Sequence, residues 1–326
     1  MREAVLPRVA GELDLARRAR RLGAAAAALV ALTTGLIVLG ALVRAHGAGL
    51  ACPDWPLCFG ELVPRFDFHV AFEYAHRVVA GTVSVLFVAL AALAVREPGW
   101  RASVARPIAL AVVLLALQVV LGGLTVMQLL ASWTVTSHLL VGNAFNATLL
   151  WIALALRSAG RAGDETSGRV PAARELGSGA RRALWLAALL LALQLALGGL
   201  VSSTYAGMAC PEWPECNGGV WFPAWRGSVG LHLAHRWNAY LLVGALVAAA
   251  WVSRGAGNVG RLAALAAALG LAQAAVGVAN VLLGIPVEIT ALHSLLAALL
   301  VLTLSAAHHA ARSARGAAPR ARTPAR

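Results

Sequence analysis

The sequence is poor in charge: only 13% of its 326 residues are Asp, Glu, Lys or Arg. A soluble domain of this length carries roughly twice that share, so a single core wrapped in a water-facing surface is excluded. Lysine is absent, and all 27 basic residues are arginine. Acids number 14, and Glu73 alone lies well inside an apolar stretch. The first apolar stretch is too long and too far from the first residue to read as a cleaved signal peptide, and no small-residue cleavage site follows it, so it is expected to stay as a helix.

What the chain does have is apolar residue in long blocks, 60% of the total. A bilayer core needs about 20 apolar residues per helix. Stretches of that kind fall near 22–43, 70–95, 107–127, 132–156, 183–203, 230–252, 262–283 and 288–310. They predict an all-α integral membrane protein of eight transmembrane helices. The net charge of +13 invites a nucleic-acid reading, but its placement opposes one. Arginines crowd before the first stretch (Arg2 to Arg21), between the second and third (Arg96, Arg101, Arg106), between the fourth and fifth (Arg157 to Arg182), at Arg254 and Arg261, and after the eighth (Arg312 to Arg326). The opposite side holds only Arg44, Arg65, Arg77, Arg226 and Arg236. Positive loops stay in the cytoplasm, so both termini are expected there. The lipid bilayer is the partner that this charge pattern implies, with no nucleic acid.

The two halves repeat each other. Gly49-Leu50-Ala51-Cys52-Pro53-Asp54-Trp55-Pro56-Leu57-Cys58 parallels Gly207-Met208-Ala209-Cys210-Pro211-Glu212-Trp213-Pro214-Glu215-Cys216. Ala75-His76-Arg77 parallels Ala234-His235-Arg236, and His138 parallels His293. Gln118 and Gly122 parallel Gln273 and Gly277. Four spans per unit keep both copies in one orientation, a parallel repeat about an axis along the membrane normal. The expected organisation is an N-terminal cytoplasmic segment (1–21), a four-helix half (22–156), a cytoplasmic linker (157–182), a second four-helix half (183–310) and a basic tail expected to be disordered (311–326).

Among nine histidines, four form the repeat pairs: His76 with His138, and His235 with His293. Each lies about 10 Å inside its helix from the outer end. Four imidazoles at one depth suit two facing axial ligands to a planar metal cofactor such as heme in each half. Interhelical hydrogen bonding is the plainer use of such residues, but matched depth in a duplicated unit favours a cofactor. Copper or zinc would be left short of ligands. Arg77 and Arg236 follow the paired histidines, and Arg44 ends the first span. They are candidates for binding heme propionates, against snorkelling to lipid headgroups. Glu73 stands three residues before His76 on the same helix face, where the repeat has His232. A desolvated carboxylate on one side only marks the first half for acid–base chemistry; a purely structural pairing with Arg77 is the alternative. The four cysteines fall on the outer, oxidising side. Two prolines stiffen each loop, so pairing within each loop (Cys52 with Cys58, Cys210 with Cys216) is favoured, with a zinc site bridging both loops as a third arrangement.

The chain resembles the heme A synthase family. The likeness rests on Gly40-Ala41-Leu42-Val43-Arg44, the first cysteine loop, Glu73-Tyr74-Ala75-His76-Arg77, Gly122-Gly123-Leu124-Thr125 and Thr136-Ser137-His138, with the second half repeating these through His293. It covers about residues 22 to 310. The resemblance implies oxidation of the C8 methyl of heme O to a formyl group by successive hydroxylations, with water as oxygen source, for cytochrome oxidase biogenesis. It implies His76 and His138 as ligands of the substrate heme O, His235 and His293 as ligands of a resident heme b, and Glu73 as the catalytic carboxylate. It further implies a plasma-membrane location with the heme sites toward the external face. Heme O synthase is the implied donor, the cytochrome oxidase assembly machinery the implied partner and an unnamed electron acceptor is required; a homo-oligomer is allowed. The rival readings are a non-enzymatic two-heme cytochrome b and a heme carrier.

Overall fold

The computed structural model describes residues 5–161 and 176–316. Eight α-helices account for nearly all of them: α1 (Val5–Ala45), α2 (Phe68–Arg96), α3 (Pro98–Met127), α4 (Ser132–Arg161), α5 (Ser178–Ser203), α6 (Gly227–Ser253), α7 (Asn258–Leu282) and α8 (Val287–Gly316). Each predicted span falls on one helix; the seventh overruns α7 by a single residue. Among the described residues, seven helices are long and apolar enough to cross a membrane. The other, α6, has the length, but His232, His235, Arg236 and Asn238 dilute its first half.

Local chemistry sets the helix ends. Asp67 caps α2 by accepting a hydrogen bond from the Val70 amide at 2.8 Å. Pro98 opens α3, where its missing N–H costs nothing. At the α3–α4 and α7–α8 turns the amides of Leu130 and Ile285 bond back to the carbonyls of Thr125 and Asn280, at 2.8 and 2.7 Å. Leu130 and Ile285 both take positive φ there, the left-handed geometry that stops a helix.

Helices run past the expected spans on the arginine-rich side. α4 continues to Arg161, and α5 begins at Ser178, so the expected linker narrows; residues 162–175 lie outside the described residues. α8 continues to Gly316, into the segment expected to be a disordered tail, and 317–326 lie outside the described residues. Alanine and arginine favour helix intrinsically, and at the C-terminal end of α4 Arg161 also complements the negative end of the helix dipole. Intrinsic propensity carries these helices beyond the apolar blocks, and the dipole adds to it at the C-terminal end of α4.

Two separate cores form. One joins α1 to α4 around Phe87, Val104, Leu149 and Ile152, with the Phe87 and Phe145 rings edge-to-face at 5.4 Å. The other joins α5 to α8 around Leu184, Leu246, Ala263 and Leu300. In lipid, helices associate through close packing of small residues and interhelical hydrogen bonds rather than by leaving water. The chain follows that rule. Asn146 donates to Thr34 across α1 and α4 at 2.9 Å, and Asn238 of α6 donates to Gln194 of α5 at 2.7 Å. The halves meet through α1, α4, α5 and α8. A Cβ on Gly199 would come within 2.9 Å of Thr136 Cγ2, and Trp151 donates to Ser305 Oγ at 2.8 Å. The first of these contacts joins α4 to α5 and the second joins α4 to α8, so the histidine-bearing α4 lies against two helices of the other half.

Candidate functional site

His76 and His235 stand eight residues into α2 and α6, and His138 and His293 six residues into α4 and α8. At 1.5 Å per residue these depths are about 12 and 9 Å. Within each half one histidine comes from the second helix and the other from the fourth, His76 with His138 and His235 with His293. All four are held in the same way. A Cβ added to Gly40 of α1 would meet His76 Cε1 at 3.1 Å, and one on Gly122 of α3 would meet His138 Cε1 at 3.2 Å. Gly198 of α5 and Gly277 of α7 stand to His235 and His293 in the same relation, at 3.0 Å each. Every odd-numbered helix thus offers a glycine groove in which the imidazole of the next even-numbered helix lies. A β-carbon in that groove would push the ring aside.

Glutamines one helical turn earlier add polar contacts. The Gln118 amide lies 3.1 Å from His138 Nε2, and the Gln194 amide 3.1 Å from His235 Nδ1 and 3.3 Å from Nε2. An amide N–H donates only to a ring nitrogen with a free lone pair, the state in which imidazole binds a metal. Gln273 holds the same place before Gly277, with its Oε1 buried and unpartnered; Nδ1 of His76, His138 and His293 is also buried without a partner. The first half has Leu36 at the corresponding position before Gly40. In the sequence Gln118 with Gly122 and Gln273 with Gly277 stand only as repeat markers without a role, and Gln194 with Gly198 is a third pair of the same spacing that the repeat comparison leaves out. The recurring Gln-x-x-x-Gly spacing was the available signal.

The donor set fits a heme. Among the described residues no three His, Cys, Asp or Glu side chains converge as metal ligands. A metal between two imidazoles here needs its other ligands from a macrocycle, as porphyrin nitrogens supply them. The cysteines are committed elsewhere: Cys52–Cys58 and Cys210–Cys216 are disulfides, and none of the four is free. Pairing is within each loop as favoured, which removes the bridging zinc arrangement.

Glu73 is buried beneath the first cysteine loop. One oxygen pairs with Arg77 Nη2 at 2.5 Å, and the other accepts the Cys52 amide at 2.8 Å. Arg77 also donates to the carbonyls of Asp54 and Leu57, at 2.8 and 2.5 Å. In the second half, Arg236 donates from Nε to His232 Nε2 at 3.1 Å and from Nη2 to the carbonyls of Cys210 and Glu212. His232 Nε2 is therefore an acceptor, which leaves its proton on Nδ1, 3.1 Å from the Ala206 carbonyl. Glu73 and His232 thus occupy one structural role, fastening a disulfide loop to the arginine one turn on. Within the first loop Asp54 accepts the amides of Gly60 and Phe59, and the Gly60 bond above all lowers its pKa from the usual value. Arg44 bonds the carbonyl and hydroxyl of Ser202 at 2.7 and 3.2 Å and lies over the Tyr205 ring. The three arginines expected at propionates thus spend donors on protein: two on the cysteine loops and one across the halves.

The family model described as cytochrome oxidase assembly protein matches residues 24–72 and 65–305. A protein named heme A synthase from Shewanella oneidensis is 29% identical over 311 residues, covering 82% of this chain and 90% of that one. Another of that name, from Symbiobacterium thermophilum, is 30% identical over 221 residues, covering 67% of this chain and 71% of its own. Because the family match runs through both halves and all four paired histidines, the chain belongs to the family of cytochrome oxidase assembly proteins.

Proposed function

We propose that this multi-pass membrane protein is a heme A synthase, oxidising the C8 methyl of heme O to a formyl group. His76 and His138 would hold the substrate heme O. His235 and His293 would hold a resident heme b, which supplies one-electron redox chemistry when bound. The observation that carries the reading is the carboxylate asymmetry between the two halves, Glu73 in the first against His232 in the second. An enzyme that converts one heme and keeps another needs two similar cradles with different side chains at their edges. Glu73 and His232 provide that difference. His232 fastens its loop without a carboxylate, so fastening alone does not call for the acid at position 73. A carboxylate has about four lone-pair sites. Glu73 uses one on Arg77 and one on Cys52, which leaves acceptors for a proton or a water at the substrate.

Arg77 and Arg236 would meet a propionate only with a donor left over from their loops. Their charge still favours carboxylates at the outer end of each site. Heme O synthase as donor and a separate electron acceptor belong to the same proposal. A cytochrome b or a carrier would use the four histidines but not Glu73. Membranes containing the chain are expected to yield heme A on pigment extraction when heme O is supplied. Recovery of heme O unchanged beside stable heme b would favour the carrier.

The proposed orientation puts both termini in the cytoplasm and both disulfide loops outside a cell membrane, from the arginine distribution. A membrane-impermeant thiol reagent applied to intact cells is expected to label Cys52 and Cys58 only after reduction. Labelling before reduction would refute the closed loop, and labelling only after lysis would refute the orientation.

A further inference from the structure

The grooves that hold His76 and His235 are alike in backbone and unlike in side chains. A Cβ at Gly40 or Gly198 would lie 3.1 or 3.0 Å from Cε1 of its histidine, and 3.6 Å from Nδ1 in both. Position 36 on α1 therefore stands to His76 as Gln194 on α5 stands to His235. Gln194 puts its amide 3.1 Å from Nδ1 and 3.3 Å from Nε2 of His235. Its Oε1 accepts from Asn238 at 2.7 Å, and Asn238 also donates to the Leu190 carbonyl at 3.0 Å. Asn238 is buried and follows His235 by three residues on α6. A closed chain of hydrogen bonds thus ties α6 to α5 and α5 back to the ring. Among the described residues nothing of the kind surrounds His76. Leu36 stands in place of the glutamine and Val79 in place of the asparagine. Leu36 packs against the apolar core of the first half, and His76 Nδ1 is buried without a partner. Of the four paired histidines, only His235 has a partnered Nδ1.

A side chain that bonds a ligand imidazole fixes the orientation of the ring, and losing such a partner costs a metal site about 10–100-fold in affinity. A ring without one is held by packing alone, and no polar bond resists its turning. The contrast matches what the proposed function asks of the two halves. A resident heme stays through every turnover, whereas a substrate heme has to leave as product, and one of its two axial bonds has to open first. Gln118 lies 3.1 Å from His138 Nε2, so His76 is the less restrained of the first pair. We propose that Gln194 and Asn238 are positioning residues that make His235 a fixed ligand, and that Leu36 and Val79 make His76 the exchangeable ligand through which the substrate heme is admitted and released. This rests on the assignment of heme b to His235 and His293 and of heme O to His76 and His138. It adds the side chains that decide which heme is kept, a task separate from that of Glu73.

The test uses purified full-length protein carrying its hemes, mixed with excess apomyoglobin as heme acceptor. The absorption spectrum follows the transfer, and chromatography of extracted hemes identifies what has left. Gln194→Met keeps the length of the side chain and removes its hydrogen bonds. It is expected to release heme b about tenfold faster or more, with release from the first half unchanged. Leu36→Gln with Val79→Asn transplants the chain to His76 and is expected to slow release of heme O and heme A by about tenfold. A merely structural part for these side chains would not produce that gain of retention. Heme b release from Gln194→Met at the unaltered rate would overturn the proposal whether or not the double variant folds. So would a folded double variant, with both disulfides closed, that releases heme O as fast as before. Failure of the synthase reading shows separately: the unaltered protein supplied with heme O then yields no heme A, whatever the release rates.

Discussion

Glu73→Gln is expected to fold, to keep its heme b and to bind heme O, yet to form heme A at least about a hundredfold more slowly, the usual contribution of a positioned acid–base group. The side chain keeps its shape and loses its charge. The structure sharpens what else must change. A glutamine oxygen can still accept from Arg77 or from the Cys52 amide, but its NH₂ faces whichever donor remains. One charge-assisted bond, worth about 1.5–3 kcal/mol, is weakened beneath the disulfide loop. Loop damage and lost chemistry therefore have to be separated. The measurements are heme A production, heme O retention and closure of the Cys52–Cys58 bond in the same preparation. Normal heme A production would end the catalytic assignment and leave Glu73 as a fastening residue like His232. Loss of heme O retention in step with heme A would place its role in binding rather than in chemistry. Loss of heme b would reverse the assignment of the two halves.

Gly198→Val is expected to remove the tightly held heme b almost as fully as His235→Ala does, by more than tenfold in heme content. A Cβ at Gly198 already meets His235 Cε1 at 3.0 Å. Valine adds two γ-carbons in the groove where the ring lies, and a ring displaced by an ångström no longer faces its partner. Gly40→Val should act on the other half: heme b stays, and heme O retention falls with the displacement of His76. The absorption spectrum together with chromatography of extracted hemes reads both. A Gly198→Val protein with a full low-spin heme b spectrum would show that the glycine groove does not set the ring. His76→Ala and His138→Ala serve as controls that leave heme b in place.

Much of this was legible in the sequence because a membrane protein writes its plan in long, one-dimensional signals. Apolar block length specified the eight helices, and the cysteine-loop and histidine repeats specified the duplication. The single acid at position 73, set against His232, specified which half differs. Disulfide pairing within each loop was also legible, since six residues with two prolines bring the ends of so short a segment together. The helix ends on the arginine-rich side were not. Hydropathy stops at the bilayer, whereas α4 and α8 stop where backbone propensity and charge let them.

Only the tertiary structure decided how the side chains are spent. Repeat spacing could pair His76 with His138, but it could not show that each imidazole lies on a glycine from the preceding helix. That contact depends on how closely two helices approach. The arginines illustrate the same limit from the other side. A guanidinium beside a proposed heme ligand reads in sequence as a propionate partner. Folded, Arg77 and Arg236 are surrounded by the carbonyls of a loop that turns back over them, and Arg44 reaches Ser202 in the other half. Hydrophobic periodicity is a local property and is read along the chain. A hydrogen-bond partner is set by which distant segment comes to lie within 3 Å or so, and that is determined only when the helices pack.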